Sequence, residues 1–164
     1  METLVGGRVF QIAFVVRNLD DALERNSRMF GIGSWRGWTF GAALHRVCEY
    51  YGRPTDFSTR LALSDTSPQF ELIEPIDGPS IHQDWLEQHG EGAHHLGVVV
   101  ESVEGVVDRM KRAGYPVIQS GSGFGAAGDG AYAYFDTRDR LGLIVEAVEP
   151  PTRMPPVEFA WPPG

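Results

Sequence analysis

The chain is short of the features that would settle its class at once. Cys48 is its one cysteine among 164 residues, so no disulfide can form within the chain and nothing points to an oxidising compartment. Positive charge is scarce: 14 Lys and Arg stand against 22 Asp and Glu, for a net charge of −8 and an isoelectric point near 5.0. A nucleic-acid binder would carry a basic stripe, and there is none. Long hydrophobic runs are missing as well, because no window approaches the roughly 18 apolar residues of a membrane span. Met1 to Gly7 lacks the basic start and apolar run of a signal peptide. The expectation is a cytoplasmic protein with neither nucleic-acid nor membrane partners. Its 42% of hydrophobic residues can bury a core as one domain or as two small fused modules.

What the chain does have is an internal duplication. Gln11-Ile12-Ala13-Phe14-Val15-Val16 aligns with His95-Leu96-Gly97-Val98-Val99-Val100 at an offset of 84, each an apolar strand opening on a polar residue. At that offset Asn18 falls on Ser102, both good N-cap residues. Leu19, Ala22 and Leu23 fall on Val103, Val106 and Val107, which keeps the spacing of one buried helix face. The far ends agree too, at an offset of 75: Phe70-Glu71-Leu72-Ile73-Glu74-Pro75 against Val145-Glu146-Ala147-Val148-Glu149-Pro150. Each copy therefore begins on Gln or His and closes on Glu. Two such modules could bring four ligands to a shared seam, which predicts a metal site of Gln11, Glu71, His95 and Glu146.

Taken in order, residues 8–16 read as a strand and 18–30 as a helix ending at Gly31, with Asn26 interrupting its apolar stripe. Strands are expected near 36–40, 43–51, 58–64 and 69–74, so residues 8–75 form a first βαβββ module. Residues 76–91 link the halves through a short helix over 79–89 that stops at Gly90. The second module, 92–150, repeats the plan with a strand at 93–100, a helix at 103–113 capped by Gly114, and strands near 116–120, 131–136 and 141–148. The fold class is thus α+β, two tandem βαβββ modules forming a cupped mixed sheet around a shared cavity. Gly121 to Gly128 contains GxGxxG, but no helix pattern follows as a dinucleotide fold requires, and a mobile loop at the pocket mouth is expected instead. The tail, 151–164, follows Pro150 in a segment holding six prolines, which excludes helix and central strand. Phe159 and Trp161 within it either pack on this domain or cover a neighbouring subunit.

These segments resemble the vicinal oxygen chelate (glyoxalase/bleomycin resistance/dioxygenase) superfamily over about residues 8–150. The local likeness is to methylmalonyl-CoA epimerase-like members, carried by Phe70 to Pro75, the helix at 79–89 and Gly90-Glu91-Gly92-Ala93-His94-His95-Leu96. By that resemblance the first-strand ligand falls on Gln11, where such epimerases usually have His, and the others on Glu71, His95 and Glu146. The set of Gln, Glu, His and Glu is similar to that of zinc-type glyoxalase I. The resemblance implies a homodimer and a small-molecule substrate such as a CoA thioester.

One imidazole, two carboxylates and an amide oxygen suit a divalent Zn, Co, Mn, Ni, Fe or Mg. Four protein ligands on an ion that accepts six leave two positions for adjacent substrate oxygens, and a carbonyl so held has its α-proton acidified through a metal-stabilised enolate. Glu146 is then the expected base, with Glu71 its partner on the opposite side. The function expected is a metal-dependent isomerase or epimerase acting on an acyl-CoA thioester or a similar α-oxo compound. The alternatives are a metal-free ligand-binding or antibiotic-sequestering protein of the same fold, and a glyoxalase I-type lyase. An extradiol dioxygenase fits less well, since its iron site wants two His and a carboxylate.

Other residues receive plainer readings. His94 should face away from His95 by the two-residue period of a strand. His45, His82 and His89 have no repeat partner and read as surface or packing residues. Cys48 reads as a buried inert thiol, and Trp35, Trp38 and Phe40 as core or rim. Glu49 and Arg60 could line the pocket, and so could Phe124 and Tyr134.

Overall fold

The computed structural model describes residues 3–163. The chain opens with β1 (Arg8–Val15) and α1 (Leu19–Phe30), whose start is set by Asn18: its side chain accepts from the Asp21 amide at 2.9 Å, and Leu19, Ala22 and Leu23 are the face it buries. Then come β2 (Trp35–Gly41), a single 3₁₀ turn at Ala42–Leu44, and the short β3 (Val47–Tyr50) and β4 (Arg53–Pro54). β5 (Ser58–Ser64) and β6 (Gln69–Asp77) complete the first module, and α2 (Ile81–His89), capped by Ser80, leads to the second. There β7 (Gly92–Val99), α3 (Val103–Arg112), β8 (Val117–Phe124) and β9 (Gly130–Phe135) repeat the first module's order. The one-turn α4 (Arg138–Leu141), β10 (Ile144–Glu149) and β11 (Phe159–Trp161) close it.

The strands form one mixed sheet in the order β11-β2-β5-β6-β1-β7-β10-β9-β8-β3-β4. At its centre β1 runs parallel to β6 and antiparallel to β7, and β7 runs parallel to β10. The two modules therefore meet edge to edge within one chain, related by a pseudo-twofold axis between β1 and β7. Two apolar cores sit on the outer face, one where α1 covers Leu72 and Trp35, the other where α3 covers Ala133 and Val145. The inner face curves around a cavity of about 270 Å³. No helix of the described residues is long and apolar enough to cross a membrane.

Three local expectations change. The strand foreseen over 43–51 is a 3₁₀ turn followed by β3, and β3 pairs with β8 of the other module rather than with its own. This hairpin ties the first half of the chain to the far end of the sheet and helps close the cup. The last strand starts at Ile144, because residues 138–141 form α4. The glycine-rich stretch is a loop in its second half only, since Gly121 and Ser122 pair with both β3 and β9 and β8 runs to Phe124, leaving Gly125 to Gly128 as the turn into β9.

The tail packs on its own domain. β11 extends the sheet beside β2, and Phe159 lies flat on Gly37, where a Cβ would come within 1.9 Å of its ring. The Trp38 indole donates to the Pro155 carbonyl at 3.1 Å, and the Thr39 amide donates to the Glu158 carboxylate at 2.9 Å. At its other end the Ala126 amide donates to the Arg153 carbonyl at 2.8 Å. The segment around these anchors brings Pro151 and Met154 to the cavity wall.

Candidate metal and substrate site

Strand register alone places the four predicted residues on one patch of the inner face. Gln69, Gln11, Gly97 and Glu146 form one row across β6, β1, β7 and β10, and Glu71, Ala13, His95 and Ile144 form the next. Side chains two residues apart on a strand share a face, so both rows point into the cup. The rows also carry the duplication further than the ligands themselves. Ala13 and Gly97 are equivalent at the offset of 84, and each is the small residue standing across from a polar twin, Ala13 opposite His95 and Gly97 opposite Gln11. A Cβ at Gly97 would sit 2.7 Å from the Gln11 amide oxygen, so the absence of a side chain there is what leaves room for it.

In three dimensions Glu71, His95 and Glu146 converge: ligand atoms from all three lie within 4.8 Å of one another. His95 Nε2 stands 3.3 Å from an oxygen of each carboxylate. Gln11 is buried on the same wall, with its amide nitrogen donating to the Gln69 side chain at 3.1 Å. That bond leaves the Gln11 carbonyl oxygen as its free polar atom.

The electrostatics of this cluster ask for a cation. All three groups are buried. Burial pushes the Glu71 carboxyl up, and His95 beside it pulls it partly back. Burial disfavours charge on His95, but the Glu146 and Glu71 carboxylates outweigh it and raise its pKa to about 9. An imidazolium between two carboxylates leaves one buried negative charge unmatched. A divalent cation with a neutral imidazole matches both carboxylates, and one nitrogen with two or three oxygens is a donor set for Zn or a harder divalent ion. The residues present fit such an ion.

His94 departs from expectation. Between β1 and β7 the pairing jumps from Ala13–His95 to Phe14–Ala93, which leaves His94 as the extra residue of a β-bulge. A bulge breaks the alternation of a strand, and His94 is accordingly as buried as His95, with their Nδ1 atoms 2.9 Å apart. The same irregularity recurs at Phe10, 84 residues earlier, so Phe10 and Gln11 mirror His94 and His95.

His82, expected at the surface or in packing, is buried on the cavity wall with its ring centroid 4.9 Å from that of His94. Burial and then His95 depress its pKa to about 3, so it is neutral. Gln119 is a further residue the sequence reading passed over. Its carbonyl accepts from the Ile81 amide at 2.9 Å, which turns its unpaired NH₂ group inward. No signal marks it in the sequence, because its strand, Val117–Phe124, is rich in Ser and Gly and one more polar residue does not stand out there.

Tyr134 contacts the His95 ring at 5.0 Å, and burial followed by the Glu146 and Glu71 carboxylates keeps its phenol protonated. With Phe124 it lines the cavity, as do Trp38 and Phe40 from the core. Two expected lining residues do not reach it. Glu49 faces an outer groove with Glu104 and Lys111, and Arg60 is engaged by Glu74 and Asp20 at 3.0 Å each. Cys48 is buried with its thiol raised by burial, as expected of an inert one. His89 is exposed.

The family profile of the Glyoxalase/Bleomycin resistance protein/Dioxygenase superfamily matches residues 10–135. No curated protein matches the chain. Among solved structures, a variant of Streptomyces coelicolor methylmalonyl-CoA epimerase in complex with 2-nitronate-propionyl-CoA is similar at 21% identity and a TM-score of 0.63, over 87% of this chain and 96% of that one. The methylmalonyl-CoA epimerase of Mycobacterium tuberculosis is similar at 21% identity and a TM-score of 0.59, over 92% of each chain. A methylmalonyl-CoA epimerase in complex with methylmalonyl-CoA and NH4+ is similar at 19% identity and a TM-score of 0.64, over 91% of this chain and 99% of that one.

Proposed function

The chain belongs to the glyoxalase/bleomycin resistance protein/dioxygenase superfamily, and from that premise we propose that it is a divalent-metal-dependent isomerase or epimerase that removes a proton α to a carbonyl. The observation that carries this reading is the convergence of Glu71, His95 and Glu146 at the wall of one cavity, with the Gln11 amide beside them. Gln11, Glu71, His95 and Glu146 would hold the ion. Bound there, it supplies Lewis-acid stabilisation of the negative charge that develops on the substrate oxygen.

The chain's own residues do the rest. Glu146 takes the α-proton, and Glu71 returns one from the other side of the carbon. Tyr134, held protonated, offers a hydroxyl to the Glu146 carboxylate before it takes the proton, or to the negative charge that the transfer leaves on the substrate. The apolar wall excludes water, which strengthens each of these interactions. An acyl-CoA thioester or a similar α-oxo compound fits the chemistry, and the similarity to epimerases that bind such esters supports it.

The test is solvent deuterium incorporation at the α-carbon across a panel of acyl-CoA esters and α-oxo acids, with metal content measured in parallel. Incorporation that drops by about 10²- to 10⁴-fold in Glu146→Gln is expected, since that is the usual contribution of a positioned base. Full incorporation in the variant removes Glu146 from the role. A protein that purifies without metal, ignores chelators and still binds ligands tightly would instead be a sequestering protein. The largely aromatic and aliphatic wall of the cavity, which could hold a ligand without an ion, is the feature that favours that second reading.

A further inference from the structure

After β10 the chain crosses the cup from one wing to the other. In the sheet β2 and β9 stand six strands apart, an arc of about 29 Å at the ~4.8 Å spacing of paired strands. The tail joins the two wings by a much shorter route. On one side Pro151 packs on Gly125, where any side chain would overlap it, the Thr152 amide donates to the Asp129 carboxylate at 3.2 Å, and the Arg153 carbonyl accepts from the Ala126 amide at 2.8 Å. On the other side the Pro155 carbonyl accepts from the Trp38 indole, and β11 then pairs with β2. From Arg153 to Pro155 the chain can cover at most about 7 Å. The wings therefore close on each other here, and Phe40 of β2 meets Phe124 of β8 with ring centroids 6.2 Å apart.

Met154 sits between those anchors. It packs against Trp38, Phe40 and Phe124, and it lines the same cavity as Glu71 and Glu146. One continuous space thus runs from the ligand cluster to this side chain. Leu61 and Leu63 stand beside the rings, so the wall at this end is apolar. The one Lys or Arg that lines the cavity, Arg36, is exposed, and a charged group would lose its hydration here without gaining a buried partner. At about 270 Å³ the cavity is also small, just under the ~300–1,000 Å³ of ordinary small-molecule sites. A few carbons reach its end.

We propose that Met154 sets the length of the substrate: the cavity takes an uncharged, apolar acyl chain that runs from the ligand cluster toward the crossing tail, and the Met154 side chain is the stop that the chain meets. The tail is then a specificity element as well as a structural one. That the carbonyl end lies at the cluster rests on the metal-dependent reading above; the length limit does not.

The probes are straight-chain acyl thioesters of N-acetylcysteamine, from acetyl to decanoyl, with affinities read by ligand-observed NMR on the full chain. In the wild type affinity should rise about three- to fourfold with each methylene that is buried, then stop rising at one chain length. Met154→Ala, which removes everything beyond Cβ, should move that break about three carbons further out, and Met154→Leu, which keeps most of the packing and is shorter by one atom, about one carbon. A wild-type series that climbs without a break, or no binding of any member, overturns the proposal even if neither variant folds. A break that stays where it was in either folded variant overturns it as well. Metal content and deuterium incorporation are read separately. A break that moves with Met154 in a protein that exchanges no deuterium sinks the catalytic reading and spares the length limit; exchange with no such break does the reverse.

Discussion

Gly97 shows how much one residue can decide. It lies between Gln11 and Glu146 in the row of side chains that crosses the sheet, and an added Cβ would meet the Gln11 amide oxygen at 2.7 Å. Gly97→Ala should push that amide out of place and weaken metal affinity about tenfold, a loss of the size seen when a ligand's support is disturbed. Competition with a chromophoric chelator measures it, and unchanged affinity would show that Gln11 is not a ligand. His94 acts from the other side, through the 2.9 Å approach of its Nδ1 to that of His95. His94→Ala should leave His95 free to rotate and cost about 10- to 100-fold in metal affinity. The same residue marks the limit of reading by period: alternation places His94 away from the site, and a bulge puts it inside. No spacing rule signals a bulge, because it depends on how the neighbouring strand is paired.

Among the elements, α4 and β11 invite measurement. Asp136 accepts from the Arg138 guanidinium at 2.8 Å on each oxygen, and this side-chain bonding holds its carboxyl below the usual aspartate range. A carboxyl depressed on folding adds stability above its unfolded value, about 3.9, and loses that contribution as pH falls through the folded value. Urea midpoints recorded between pH 5 and pH 2 should therefore fall less steeply for Asp136→Asn than for the wild type. The pair is about a third exposed, so the difference will be small. For β11, Phe159→Ala strips a half-buried ring from Gly37 and the core around Trp35, and should cost about 1–3 kcal/mol by urea unfolding. A change under 0.3 kcal/mol would mean that the tail is not part of the folded unit. The tail's apolar residues announce that they must be covered, but six prolines hide the short strand they form. The same blindness applies to β3, a strand in the sequence whose partner, β8, lies some 70 residues away.

For the molecule as a whole, a metal that binds only the folded chain should raise its stability by about 2.7 kcal/mol at a hundredfold excess over the dissociation constant. Thermal unfolding with and without added ion checks this. Glu71→Gln should erase most of the gain, and a gain that survives in that variant would place the ion elsewhere. The duplication legible at offsets of 84 and 75 was enough, by itself, to set the module plan, the helix caps and the identity of Gln11, Glu71, His95 and Glu146 as equivalent positions. Those are properties of local period and of internal symmetry, which a linear chain displays in full. Which further side chains join them at the cavity was decided only by folding. His82 comes from a linking helix, Gln119 from the second module, His45 from a turn beside the 3₁₀ segment, and Met154 from the tail. None has a symmetric twin to announce it. Their meeting depends on strand pairing, curvature and the docking of the tail, interactions between residues far apart in the chain that no local pattern encodes.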